Sequence, residues 1–308
     1  IVLTTIVAVC ALVSPYVSKL IVDRVIQNEQ YGMLRNLIIV LIVTIIIRGI
    51  CRFFSQVLFE TSSQNVLYSM RDTVYRKLLQ EDFAFYNKNR TGDLMSRQTG
   101  DMDAIRHFVA YVIYVTYEYV LYFVIALIMI FATNLKMALC MVLVLPLTAL
   151  TTYFQAKSVK PAFRNCRNAF SSLNTFVQEN VSGNRVVKAF AKEDYEMEKF
   201  AVENDRYRDS ELGAANVWKK YVPLFEVFSN ILTLVLMLVG GIMVVNGQMT
   251  MGDLVAVNGY LWMLTMPLRM AGWLINDMQR FTTSVEKIYN TYIAEPDVKK
   301  PLNPVHRK

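Results

Sequence analysis

The sequence is poor in the residues that hold metals and perform acid–base or thiol chemistry. Its 308 residues include two histidines, His107 and His306, and four cysteines. Cys10, Cys51, Cys140 and Cys166 are never closer than 26 positions, so no CxxC pair exists for a zinc knuckle or a dithiol centre. No G-x-x-x-x-G-K-[ST] phosphate loop occurs. The nearest string, GQMTMGDL at 247–254, lacks the lysine that reaches the phosphates and the hydroxyl that holds magnesium. Charged residues make up only 19%, against about 25% in soluble domains. No proline falls between Pro15 and Pro146, or between Pro161 and Pro223. The expectation is no catalytic, cofactor or metal site in this chain, and long stretches with nothing to stop a helix.

What is present is apolar length. Hydrophobic residues make up 54% of the chain. They gather in runs at 1–21, 37–59, 109–132, 135–154, 222–245 and 254–275. Each is near the roughly 20 residues that cross about 30 Å of hydrocarbon. The second run reads as the weakest, because Arg48 and Arg52 interrupt it. The fold expected is all-α with six transmembrane helices. The first residue already lies inside an apolar run, without a basic segment ahead of it, which reads as a trimmed start rather than a signal peptide.

The net charge of +7 sits between the runs. Lysine and arginine number seven in 55–107, twelve in 156–221 and six in 280–308, whereas the two short connections hold only Lys136. A basic soluble protein would suggest nucleic acid; this alternation instead follows the positive-inside rule. It places both termini and the long connections in the cytoplasm of a cell-membrane protein, with lipid and not nucleic acid as its surroundings.

The long connections read as helix. Residues 33–86 contain one glycine, Gly49, and no proline. As continuous helix they would run about 80 Å, far beyond a bilayer's need. The second run is expected to continue about 40 Å past the membrane, carrying Val66, Leu67, Val74 and Leu78 without cover unless something docks there. Turn formers mark two tips of such projections: Asn87 to Asp93, and Ser182-Gly183-Asn184. Each tip suits docking onto a soluble partner; a solvated hairpin without a role is the alternative.

At these tips a family resemblance enters. FYNKNRTGDLMSRQTGDMDAIR resembles the first intracellular loop of type IV ABC exporters of the bacterial multidrug type, and ENVSGNRVVKAFAKEDYEMEKF resembles their second. NGQMTMGDLVAV with YLWMLTMPLRMAGW resembles their last outer loop and sixth helix, and SPYVSKLIVDRVI the end of their first. The four segments stand in the family's order and cover essentially the whole chain. The resemblance implies a transmembrane domain at 1–294. It makes AEPDVKKPLNPVHRK, chiefly 295–308, the start of a linker to a nucleotide-binding domain beyond this chain, where ATP and magnesium would bind. It also implies pairing with a second half-transporter, identical or not, and a small-molecule or lipid-like cargo. On this basis Arg90, Thr91, Gly92, Asp93 and Arg97, with Ser182, Gly183, Asn184 and Arg185, are candidates for coupling to nucleotide-binding domains.

Three runs carry polar–aromatic stripes. Tyr111, Tyr114, Glu118 and Tyr122 share one face of the third. An acid at mid-span costs at least about 2–3 kcal/mol if unpaired, so it normally meets a cavity or a partner. Either Glu118 and its tyrosines form a cation-attracting wall, or a protonated or helix-paired Glu118 sits among packing tyrosines; the sequence displays no partner for it. The fifth run aligns Glu226, Asn230 and Thr233. The sixth aligns Trp262, Met266, Arg269, Trp273, Asn276 and Arg280. These faces either line a cargo pathway or supply interhelical hydrogen bonds and an aromatic belt.

The expectation is therefore an exporter half that moves hydrophobic or amphipathic cargo outward by alternating access, hydrolysing ATP as a full-length protein. A proton-coupled secondary transporter using Glu118 or Glu226 is one alternative, though it leaves the long cytoplasmic helices unexplained. A non-transporting membrane scaffold is another.

Overall fold

The computed structural model describes residues 1–294; the expected linker at 295–308 lies outside them. Among the described residues the chain is helical, without strands. Helix α1 spans Val2–Leu20 and runs into a π-helical turn at Ile21–Ile26. Helix α2 (Leu34–Leu78) is one unbroken stretch of 45 residues, about 67 Å long. Short helices α3 (Phe83–Lys88), α4 (Thr91–Ser96) and α5 (Met102–His107) lead through π-helical turns at Arg97–Asp101 and Phe108–Val112 to α6 (Ile113–Thr133). Then come α7 (Leu135–Ala189), α8 (Glu193–Val235), α9 (Gly241–Val245) and α10 (Met251–Tyr292).

Five of the six predicted runs lie in helices long and apolar enough to cross a membrane. The second run, read as the weakest, belongs to the most apolar of them. Its aliphatic block at 37–47 is apolar enough to outweigh Arg48 and Arg52. The sixth run lies in α10, a continuous helix of 42 residues. It falls outside those five, with Asp253, Thr265 and Arg269 along its length.

The chain divides into two units. One combines Ile1–Thr133 with the chain from Asn246 onward; the other is Asn134–Val245. In the first, α1 packs on α2 and α10, and α6 packs on α10. The α1–α10 seam needs small residues around Gly252 and Gly259. A Cβ on Gly252 would lie 2.5 Å from Asp23 Cγ and from the Lys19 carbonyl oxygen, and one on Gly259 would lie 2.8 Å from Pro15 Cβ. Close backbone approach of this kind is how helices associate where lipid removes the hydrophobic drive. At the other end, Leu67 and Val74 of α2 bury against Met102, Ile105 and Ile288, with Leu78 packed on the cluster. The projection is thus not bare. Leu67, Val74 and Leu78 are covered from within the unit because α5 and α10 run alongside α2, and only Val66 of the four stays exposed.

The second unit is the antiparallel hairpin α7–α8. Small buried residues, Cys166, Ala169 and Ala214, let the two helices approach. Cys166 Sγ donates to the Ser210 carbonyl at 3.1 Å, and the Ser158 and Tyr221 hydroxyls share a hydrogen at 2.9 Å. Phe170 meets Tyr207 at 5.5 Å between ring centroids and Phe176 meets Phe200 at 6.4 Å, in the same antiparallel register. The predicted tip at Ser182–Asn184 is not a break, because α7 continues through it to Ala189. A single glycine costs a helix only about 1 kcal/mol, less than the packing of the turns around it. The chain instead reverses at Phe190–Lys192. There the Ala191 amide donates to the Lys188 carbonyl at 3.3 Å and the Lys192 amide to the Val187 carbonyl at 3.1 Å. These two bonds make a Schellman cap with alanine, at φ 48°, where glycine is usual.

Candidate cargo pathway and coupling surfaces

The stripes predicted on the third and sixth runs meet within the first unit. Tyr122 packs edge-on against Trp262 at 5.3 Å, and Tyr111 against Trp273 at 5.5 Å. Tyr111 also touches Tyr114 at 5.4 Å and stacks on His107 at 5.7 Å. Tyr111, Trp262 and Trp273 remain exposed, whereas Tyr114, Glu118 and Tyr122 are buried. Met266 is half-buried and Arg269 exposed on the same helix. Glu226 and Asn230 belong to the hairpin unit, where both are exposed, so the two predicted halves of the pathway lie in different units.

Glu118 has a partner that the sequence reading did not identify. Arg52 Nη2 of α2 lies 3.4 Å from Glu118 Oε2, and the Tyr122 hydroxyl donates to Glu118 Oε1. Arg48, one turn before Arg52, donates to the Tyr122 oxygen at 3.4 Å. Two arginines four positions apart in one span, facing a lone acid in the next, were the available signal. They register in the sequence only as a flaw in an apolar run, because the pairing of spans is not visible there. The Glu118 side chain is 5% exposed and that of Arg52 45%.

Two clasps flank this level. Beside Gly252, Asp23 accepts from the Gly252 amide at 2.8 Å and from the Thr250 hydroxyl at 2.8 Å, and Lys19 pairs with Asp253. Thr250 and Asp253 also cap α10 reciprocally, and the preceding turn uses Gly247 at φ 69°, a conformation glycine tolerates. Near the far end of α10, buried Asp101 accepts from Ser284 Oγ at 2.9 Å and pairs with Lys287 at 3.2 Å. His107 Nε2 lies 3.2 Å from Asp277 Oδ2. The sequence reading gave none of these residues a role in joining helices, because each partner lies in a distant segment.

The coupling candidates separate. Arg90, Thr91, Gly92 and Asp93 are exposed at the start of α4. Arg97 points back into its own unit and donates to Thr291 Oγ1 at 2.7 Å. Ser182, Asn184 and Arg185 are exposed and Gly183 half-buried along α7, about two turns before the actual reversal. Val186 and Phe190 are exposed there as well. At the start of α8 the Glu193 carboxyl is held below its ordinary value of 4.5, first by the backbone amide it accepts from and then by Lys188 at 3.4 Å.

The model of the ABC transporter transmembrane region matches residues 1–268. The chain belongs to this family. Among curated proteins it is 31% identical, over 96% of its length and 51% of theirs, to an uncharacterized ABC transporter ATP-binding protein of Bacillus subtilis, YknU. It is 30% identical, over 78% of its length, to the probable multidrug resistance ABC transporter ATP-binding/permease protein YheI of the same organism, covering 41% of it. With the multidrug resistance-like ATP-binding protein MdlA of Escherichia coli the identity is 27% over 98% of this chain and 52% of that one. The chain spans about half the length of the curated relatives it matches. This ABC transporter transmembrane region is a multi-pass membrane protein, as its apolar helices require.

Proposed function

We propose that the chain is the permease half of an ATP-driven exporter, carrying hydrophobic or amphipathic cargo outward by alternating access. The observation that carries the reading is the pairing of the α6 and α10 stripes. Exposed Tyr111, Trp262 and Trp273 stand beside a charge cluster at span depth, where ionisable groups mark pathways rather than packing. The lipid-facing alternative leaves Arg52 half exposed to hydrocarbon. In this reading residues 1–294 are the transmembrane domain and 295–308 lead towards a nucleotide-binding domain that binds ATP and magnesium. A second half-transporter completes the pathway, and the long helical extensions and both ends face the cytoplasm.

The coupling surface is placed at two points. One is Arg90–Asp93. The other is the reversal at Phe190–Lys192 with Ser182, Asn184 and Arg185 beside it. Arg97 is reassigned to holding α4 against α10. Docking at the first point would transmit nucleotide-driven closure through α2 and α10, and docking at the second through α7.

The test uses the full-length protein in inside-out vesicles. ATP should drive uptake of a fluorescent amphiphile, and Asp93→Arg should abolish cargo-stimulated hydrolysis while leaving amphiphile affinity within about twofold. Uptake driven by a pH gradient without ATP would replace this reading with the proton-coupled one. Absence of any flux would favour the scaffold.

A further inference from the structure

The charge cluster on α2 and α6 has a sign. From the sequence, Glu118 is either part of a wall that attracts cations or an acid paired between helices. In the structure that carboxylate is already met by Arg52 at 3.4 Å, and it also takes the hydrogen of the Tyr122 hydroxyl. Among the described residues Arg48 donates to the Tyr122 oxygen, a neutral acceptor, at 3.4 Å. The cluster thus holds two guanidinium groups and one carboxylate, an excess of one positive charge. The surplus is accessible: Arg48 is half-buried, the Arg52 side chain is 45% exposed, and Glu118 is 5% exposed. Trp262, exposed and in contact with Tyr122 at 5.3 Å, adds an apolar flank.

We propose that Arg48, with Arg52, binds the anionic head of an amphiphile, a phosphate or carboxylate whose apolar tail lies along the aromatic stripe. A cation at span depth is costly unless it meets water, a counter-ion or a partner. Guanidinium is the side chain best matched to oxyanions, through its planar fork of donors. Glu118 then positions Arg52 and lowers the local field instead of recruiting cargo. This assignment rests on the exporter reading above, since it names the cargo class of that pathway.

The experiment measures binding of two probes with the same tail, dodecyl phosphate and dodecyltrimethylammonium, to the full-length protein in nanodiscs of zwitterionic lipid. Dodecyl phosphate should bind at least about tenfold more tightly, the scale of one charge-assisted contact. Arg48→Gln should remove that preference and Arg48→Lys should largely keep it. Glu118→Gln should strengthen dodecyl phosphate binding severalfold, a gain that a misfolded protein cannot produce. Adding phosphatidylglycerol to the discs identifies the source. Competition means that the head is a bilayer lipid's, and its absence means a free amphiphile's; both support the assignment. A preference for the ammonium probe, or equal phosphate affinity in the wild type and Arg48→Gln, overturns it. Equal affinity together with a weakened dimer in Arg48→Gln would assign the arginine to a second copy of the chain. Loss of ATP-driven transport with the phosphate preference intact would count against the exporter reading and not against this site.

Discussion

The two units hold themselves together by different means. In the first, besides local pairs such as Arg76–Asp72 and Lys77–Glu81, ion pairs join elements far apart in sequence: Lys19 with Asp253, Arg52 with Glu118, Arg106 with Glu60, and Lys287 with Asp101. In the hairpin the ion pairs found among the described residues are local. They are Lys188–Glu193, Lys199–Glu196, Arg206–Glu203, and Arg208 with Asp205 and Asp209. Such exposed local pairs add little stability; the hairpin relies on small residues and aromatic contacts along one seam. The lesson is that ion pairs do different work in the two units. In the first unit the long-range pairs fix which helices meet, and in the hairpin the pairs lie along the exposed faces of single helices or across its turn.

Glycine substitutions should separate the units most sharply. Gly252→Val places a branched side chain where a Cβ alone would sit 2.5 Å from the Lys19 carbonyl oxygen. We expect a loss of about 3 kcal/mol or more, with Gly252→Ala and Gly259→Ala losing roughly 1–3 kcal/mol. Gly183 and Gly213 of the hairpin have nothing within 4 Å of such a Cβ. Alanine there should raise stability by up to about 1 kcal/mol through helix propensity. Thermal unfolding in detergent reads both, and equal signs in the two units would break the comparison.

Charge deletions come next. Asp101→Ala leaves Lys287 and Ser284 without their buried acceptor and should cost about 2–3 kcal/mol. Lys199→Ala removes an exposed pair and should cost under about 0.5 kcal/mol. The same unfolding assay distinguishes them, and a cost at Lys199 as large as that at Asp101 would mean that the hairpin's pairs are structural after all.

The reversal of the hairpin gives a smaller effect of opposite sign. Ala191 holds φ 48°, a conformation that costs an L-residue about 1 kcal/mol or more. Ala191→Gly should therefore stabilise by roughly 0.5–1 kcal/mol, provided the Schellman cap is retained. Destabilisation would show that the alanine methyl has a contact of its own.

The smallest effect concerns acid. The Glu193 carboxyl is held below its ordinary value of 4.5. Its contribution to the start of α8 is fully present above that value and is lost as pH falls through the lowered one. Protection of the amides at 190–196, relative to their intrinsic exchange, should fall as the medium is acidified below 4.5, and Glu193→Gln should remove that loss.

The helical framework was legible because apolar runs and missing prolines act along the chain. The connection at Thr133-Asn134 and the continuous α2 follow from local pattern. Ser182-Gly183-Asn184 misled because helix-breaking composition is a weak preference that a long packed hairpin overrides. The turn after Ala189 was hidden because alanine occupies the place of the usual glycine. The aromatic faces of α6 and α10 were legible from period alone. The sign of the charge at Glu118 was not, since it depends on which span supplies the partner, and neither Arg48 nor Arg52 points to α6 within its own segment.

The central claim is that the face bearing Tyr111 and Trp262 is a pathway opened on one side and closed by nucleotide. Tyr111→Cys, in full-length protein whose native cysteines are replaced by alanine, tests it in proteoliposomes with a membrane-impermeant maleimide; Lys136→Cys serves as the outside control. We expect Tyr111→Cys to react from the cytoplasmic side without nucleotide, and its rate to fall at least tenfold after trapping with ATP and vanadate. Equal rates in both states, or no reaction in either while Lys136→Cys reacts from outside, would contradict the account.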